Sequence, residues 1–304
     1  MTRVSTFAAN QNALMDLMKA QKAMFDAQKQ LTTGKLATDL KGVGHQAETL
    51  SATRAALQRA SAYEEAAVRT EARLASQDVA MGQMADAITD LRLAVTSKDG
   101  DYTMHQVREA FDKVANALNT KHAGTYVFGG TRTDTAPVTT NDLDDLVAMG
   151  SASEAFVNND RRPQVQLDQN LTLETGMLAS DVGGEVFDSF KRIADFDAGV
   201  NGPFDRPLSA AQETFLNGEI QNVITALDNM YVRIGENGAA QANVETIRTA
   251  QGDRQIFLQQ MLSDLEDVDM AEAATRFQAA QTAVDVSAKT FSSLSQVSLL
   301  NFLR

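Results

Sequence analysis

The positions of the prolines constrain this chain more than any other feature of its sequence. All of them lie between residues 137 and 207, so the flanking stretches 1–136 and 208–304 contain none. Proline interrupts a helix because it lacks the backbone N–H and its ring clashes with the preceding turn. Both flanks can therefore form long helices, and the middle is expected to hold turns and short elements. The four prolines are Pro137, Pro163, Pro203 and Pro207.

Apolar residues recur with helical spacing at both ends of the chain. Near the start they lie seven, three, seven and seven residues apart, as at the a and d positions of a coiled coil, with Gln21 and Gln28 at two expected apolar positions. The first helix is predicted at about 7–33, and residues 270–294 repeat the pattern. Two such helices can pack side by side and bring the chain ends together. The predicted assembly stripe is Phe7, Leu14, Leu17, Met24, Leu31, Phe277, Val284, Phe291, Leu294, Leu299, Leu300 and Phe302.

The remaining proline-free segments predict two more long helices. One is expected from about 46 to 97, roughly 75 Å long, and one from 209 to 265 despite Gly235 and Gly238. Alternating residues between 137 and 207 indicate short β-strands. We therefore predict a mainly α fold: an elongated antiparallel helical bundle or coiled coil made from both termini, with a small mixed α+β insert in the middle.

The same pattern divides the chain into three domains. Residues 1–41 with 266–304 form the predicted terminal coiled-coil assembly domain, and residues 42–136 with 208–265 form a rod of long helices. Residues 137–207 form a variable outer insert with short strands.

Composition excludes several classes of function. The net charge of −13 and the lack of a Lys/Arg-rich run oppose nucleic-acid binding, because a phosphate backbone would be repelled. The absence of cysteine excludes disulfides and thiolate metal sites. A cleaved secretory signal and membrane insertion are not expected, since no apolar run is long enough. If the protein leaves the cell, it leaves by another route.

No catalytic, cofactor-binding or metal-binding residue is predicted. His45, His105 and His122 lie far apart and lack paired metal-ligand spacing. The acidic run 264–269 lacks the glycine and terminal glutamate of an EF-hand and is better explained as a helix junction. Lys35 follows Gly34 as in a P-loop, but the rest of that motif is missing. The methionine and phenylalanine stripes are by default core positions.

Additional apolar residues, including Leu299, Leu300 and Phe302 of the assembly stripe, do not follow its regular helical spacing and would face outward in a simple pair of helices. We expect copies of the chain to cover them, with termini that are loose in the monomer and become ordered on assembly. A head-to-tail contact of this kind builds rings or helical tubes. These residues are Val4, Met15, Met18, Phe25, Val297, Leu299, Leu300, Phe302 and Leu303.

Four segments of the sequence resemble signatures of one known family. QLTTGK at 30–35 is similar to the signature that ends that family's first helix, and LEDVDMAEA at 265–273 to its C-terminal junction. LSQVSLLNFL at 294–303 resembles its final helix, and YVFGGTRTDTAP at 126–137 resembles the segment that closes its third helix. Together these segments resemble the bacterial flagellin superfamily, and the segment at 126–137 favours the family of hook-filament junction proteins (hook-associated protein 3) over filament flagellin.

This resemblance implies a non-enzymatic subunit of the bacterial flagellum without a cofactor. It would be exported unfolded and uncleaved by the flagellar type III apparatus after engagement by an export chaperone. Its expected partners are copies of itself in a ring or helical homo-oligomer, flagellin, and the other hook-associated junction protein, at an extracellular location.

Three alternatives remain open. A filament-forming flagellin would grow long filaments by itself. A cytosolic coiled-coil adaptor would have ordered termini as a free protein, and an enzyme would need convergent polar residues in a pocket of the middle insert.

Overall fold

The computed structural model of the chain confirms a mainly α fold. It describes residues 2–37 and 44–302, and within these it leaves out the side chains of residues 2–7, 45, 101 and 297–302. Most described residues are helical, as expected from the proline-free flanks. The helices are α1 (Thr2–Thr33), α2 (Ala47–Ser97), α3 (Gly100–Leu118), α4 (Leu143–Ala148), α5 (Ala179–Ala198), α6 (Ala210–Glu266) and α7 (Met270–Phe302), with 3₁₀ turns at Gly44–Gln46 and Ala152–Ala155.

The strands are short and form two separate antiparallel hairpins. The first pairs β1 (Lys121–His122) with β2 (Thr125–Tyr126). The second pairs β3 (Gln164–Asp168) with β4 (Leu171–Glu174), where alternation predicted strands. The small mixed α+β insert is thus confirmed.

Helix α6 runs without interruption through Gly235 and Gly238, so the single long helix predicted there is correct. Contacts with α2 stabilise this stretch. Asn237 and Gln241 donate side-chain hydrogen bonds to the carbonyl oxygen of Leu74, at 3.0 and 3.3 Å. Tertiary contacts therefore compensate the low helix propensity of two glycines within one turn.

The described chain forms two compact units. One contains the residues up to 59 and those from 254 onward, and the other contains residues 60–253. The boundary falls within α2 and within α6. Residues 137–207 belong to the second unit, and the division of the chain into three domains stays a prediction.

The core of the second unit is built around phenylalanine rings. Phe111, Phe187 and Phe190 are completely buried. The Phe111 ring centroid lies 5.2 Å from that of Phe187 and 5.5 Å from that of Phe190, the latter edge to face. Such contacts add to the stabilisation from apolar burial. Across the described residues, no helix is apolar over a length sufficient to cross a membrane.

Candidate assembly surface

The first unit is organised by the antiparallel packing of α1 along α7. The side chains of α1 that face α7 recur every three or four residues, which keeps one face of the helix turned toward its partner. Three of them are alanines, and two of these, Ala20 and Ala27, are buried, because their small size lets the helices approach closely. Between residues 13 and 31, the buried or half-buried positions that follow this spacing are Ala13, Leu17, Ala20, Met24, Ala27 and Leu31; Ala9, Asn10 and Gln30 are half-buried as well.

Helix α7 contributes a second line of buried and half-buried side chains. Ala273 and Ala280 are buried, and aromatic or branched residues alternate with them. The line consists of Ala273, Phe277, Ala280, Val284, Ser287, Phe291 and Leu294. We call the two lines together the terminal seam.

The structure places most of the predicted stripe in the terminal seam. Leu17, Met24, Leu31, Phe277, Val284, Phe291 and Leu294 are all half-buried there. Leu14 lies outside the seam and is 39% exposed. The side chains of Phe7, Leu299, Leu300 and Phe302 lie outside the described residues. The interpretation of Gln21 and Gln28 as seam positions is wrong, because both are exposed and the seam passes through Ala20 and Ala27.

The opposite side of α1 carries a row of exposed apolar side chains. Leu14, Met15, Met18 and Phe25 are 39%, 51%, 59% and 62% exposed. Their spacing puts them on one side of the helix, together with the exposed Lys22 and Lys29. We call these six residues the α1 patch. A row of this kind is unusual on a surface that contacts only water.

A compact junction holds the end of α1 against the segment that connects α6 to α7. Gly34, with a φ of +69°, ends the helix and turns the chain. The amide of Leu36 then donates to the carbonyl of Glu266 at 2.7 Å, and the amide of Val268 donates to the carbonyl of Gly34 at 2.9 Å. These two bonds form a short antiparallel bridge, which sets where the terminal seam begins.

The side chain of Glu266 is the centre of this junction. It is only 5% exposed, and its carboxylate accepts hydrogen bonds from Lys35 Nζ and, at 2.7 Å, from Arg54 Nε. Burial alone raises the pKa of a carboxyl group, but the hydrogen bonds and positive charges of Lys35 and Arg54 outweigh it and hold the pKa of Glu266 below its usual value. Glu266 is therefore ionised at neutral pH.

Sequence reasoning did not find this ion-paired junction. Lys35 lies in the QLTTGK segment and in a fragment of a P-loop, neither of which indicates an ion pair, and Arg54 carries no motif. A local signal existed for the neighbouring Asp269, which caps α7: its carboxylate accepts from the amides of Ala271 and Glu272 at 2.8 and 3.2 Å. The explanation of residues 264–269 as a helix junction is thus correct.

Of the three histidines, His105 and His122 have neighbouring polar partners, and the side chain of His45 lies outside the described residues. His105 Nε2 lies 3.7 Å from Glu109, and His122 Nδ1 lies 2.8 Å from Ser76 Oγ. Among the side chains that the structure describes, no group of three or more histidines and carboxylates could hold a metal ion.

A polar depression of about 600 Å³ lies in the second unit, lined by Thr131 and by residues of the middle insert. Several of its polar residues pair with neighbours: Gln164 donates to Glu174 at 3.1 Å across β3 and β4, and Arg162 contacts Asp181 at 2.8 Å. These pairs stabilise the insert and do not converge on one point. The depression is lined by Thr131, Asp160, Arg161, Arg162, Gln164 and Glu174.

Comparison with known proteins agrees with this arrangement. Residues 219–303, which contain the second half of the seam, match the bacterial flagellin C-terminal helical region. No curated protein matches the sequence. The family match therefore confirms the resemblance to the flagellin superfamily over residues 219–303.

Three solved structures share the fold. A Vibrio parahaemolyticus protein assigned as flagellar hook-associated aligns with a TM-score of 0.60 at 17% identity, over 73% of this chain and 97% of that one. Bacillus cereus FlgL aligns with a TM-score of 0.54 at 13% identity, over 70% and 98%. Xanthomonas campestris FlgL aligns with a TM-score of 0.56 at 13% identity, over 70% and 99%.

Proposed function

We propose that this chain is a structural, non-enzymatic subunit of the bacterial flagellum that assembles with copies of itself at the junction between hook and filament. The observation that carries the proposal is the α1 patch. Packing in the terminal seam already covers the facing sides of α1 and α7. Four large apolar side chains nevertheless remain exposed on the outer side of α1. Burial of apolar surface drives association, so these residues favour contact with further protein.

The junction around Glu266 supports an assembly role. A pair of helices presents a defined surface for assembly only if the two helices are fixed in one alignment relative to each other. At the junction, two backbone hydrogen bonds and the ion pairs of Glu266 with Lys35 and Arg54 fix the end of α1 against the segment that precedes α7.

The proposed partners follow from the family. They are other copies of this chain, flagellin, and the other hook-associated junction protein. Before assembly, an export chaperone would engage the chain and the flagellar type III apparatus would export it without cleavage. The match of residues 219–303 to the flagellin region also supports a second candidate, a filament-forming flagellin. Purified protein that grows long filaments by itself would favour flagellin, and oligomers that stay short would favour the junction role.

A double variant of the α1 patch tests the assembly role in cells. We expect Met18→Glu with Phe25→Glu to leave the fold intact, because both side chains are exposed. It should release unattached filaments into the medium while the variant protein is still exported. Asn12→Asp, which adds a negative charge at an exposed polar position of the same helix outside the α1 patch, is the matched control.

Deletion of residues 271–304 extends the test to α7. Filament attachment and export are scored separately in both experiments. Filaments that remain attached to hooks in the double variant and in the deletion would show that the terminal helices do not carry the assembly role.

A further inference from the structure

A second exposed patch lies near the end of α6, within a few turns of the Glu266 junction. Ile256 and Phe257 are 64% and 68% exposed, which places them among the most exposed large apolar residues of the described chain. Asp253, Phe257, Gln260 and Asp264 follow one another at intervals of four, three and four residues, so they share one side of the helix. We call Asp253, Ile256, Phe257, Gln260 and Asp264 the α6 patch.

The two patches carry opposite charges on either side of an exposed phenylalanine. In the α1 patch, Phe25 lies between Lys22 and Lys29. In the α6 patch, Phe257 lies between Asp253 and Asp264. The charged residues of both patches are exposed. Arg254, which is adjacent to the α6 patch, interacts within its own chain.

From this complementarity we infer that the α1 patch of one copy docks on the α6 patch of a second copy. This inference rests on the proposed self-assembly and names the surfaces that meet. Contact between the patches buries apolar side chains on both helices and brings lysines toward aspartates.

Charge also selects this pairing over the symmetric ones. Two α1 patches in contact would oppose lysines to lysines, and two α6 patches would oppose aspartates to aspartates. Like charges facing each other across an interface disfavour association. The favoured contact therefore joins different surfaces of two copies, and such a heterologous contact propagates into a ring or a helical array.

The natural absence of cysteine makes intermolecular crosslinking a direct test. Met18→Cys introduces one thiol in the α1 patch and Gln260→Cys introduces one in the α6 patch, so any disulfide joins two molecules. We expect rapid crosslinking when the two single-cysteine proteins are mixed under conditions in which sedimentation shows oligomers. Met18→Cys mixed with Val79→Cys, at a site on α2 that is 62% exposed, is the control and should crosslink poorly.

Charge reversal makes the test specific. Lys22→Glu with Lys29→Glu in the Met18→Cys protein should reduce the crosslinking rate by about tenfold or more. Asp253→Lys with Asp264→Lys in the Gln260→Cys partner should restore it. Circular dichroism would verify that each variant keeps its helices.

The possible failures separate this inference from the proposed function. If oligomers form but the mixed pair does not crosslink above the control, or Met18→Cys alone crosslinks as fast, the docking of α1 on α6 is wrong and self-assembly stands. If charge reversal leaves the crosslinking rate unchanged, the inference is also wrong. If sedimentation detects no oligomers at any concentration, the proposed self-assembly and this inference are both wrong.

Discussion

Arg54 Nε lies 2.7 Å from the carboxylate of Glu266, although 212 positions separate the two residues in the chain. The same carboxylate binds Lys35, so three distant segments meet at one buried acid. Each basic partner is about half exposed, with 45% and 52% of the Lys35 and Arg54 side chains accessible. The junction thus combines a desolvated acid with partners that remain partly hydrated, and its stability depends on the charge of Glu266.

Replacement of Glu266 by glutamine should weaken the junction. The variant keeps the shape of the side chain but loses its charge-assisted hydrogen bonds, which should cost about 1 to 3 kcal/mol in the free energy of unfolding. Urea denaturation would measure this. Glu272→Gln is the control, since its ion pair with Arg276 is exposed on α7 and should contribute less than about 0.5 kcal/mol. Equal effects of the two substitutions would contradict the central role of Glu266.

Acid should loosen the same junction. Because the pKa of Glu266 is lowered in the folded protein, its contribution to stability is complete above the usual glutamate pKa. That contribution declines as the pH falls through the lowered value. The amide resonances of Leu36 and Val268, whose N–H groups donate across the junction, should report the change in NMR spectra. In Glu266→Gln this transition should be absent, and its persistence there would assign it to another group.

Enlarging a seam alanine should separate α1 from α7. Ala27 is 5% exposed, so Ala27→Leu forces extra methyl groups into a filled space and should destabilise the first unit by about 1 to 3 kcal/mol. Gln28→Leu adds an apolar side chain at the next residue, which is exposed, and should change stability by less than about 0.5 kcal/mol. Urea denaturation of both variants is the measurement. If Gln28→Leu changed the stability more than Ala27→Leu, Gln28 rather than Ala27 would be the seam position.

Replacement by alanine should have opposite effects on protein stability at two glycines with different surroundings. A Cβ atom at Gly129 would lie 2.3 Å from the carbonyl oxygen of Arg132, so Gly129→Ala must shift the backbone and should cost about 2 kcal/mol or more. A Cβ atom at Gly235 would meet nothing within 4 Å inside helix α6. Gly235→Ala should therefore stabilise the protein by about 0.5 to 1 kcal/mol. Thermal unfolding of the two variants would decide whether the signs differ.

The terminal helices should gain protection when the protein assembles. We expect amide exchange of residues 8–33 to slow by about tenfold or more in oligomers relative to the dilute monomer. Hydrogen exchange with mass spectrometry, using residues 107–118 of the second unit as the internal reference, would measure it. Firm protection of residues 8–33 in a solitary copy would favour the free coiled-coil adaptor instead.

Local sequence patterns predicted the helices well because they depend on local physics. The placement of all four prolines between 137 and 207 leaves both flanks free to form long helices, and the helices α2 and α6 begin and end within a few residues of the predicted bounds. The seam was predicted less well. The sequence pattern assigned large residues such as Leu14 to the seam. The close approach of two helices instead favours small residues such as Ala20 and Ala27.

Helical periodicity and proline placement were sufficient to establish that both ends of this chain form long amphipathic helices, because these properties depend on neighbours three or four residues away. The side of α1 that faces α7, and the meeting of Lys35, Arg54 and Glu266, required the folded arrangement. Such contacts join residues more than 200 positions apart, and the free energy of bringing a particular acid and base together depends on burial and geometry that no local pattern encodes.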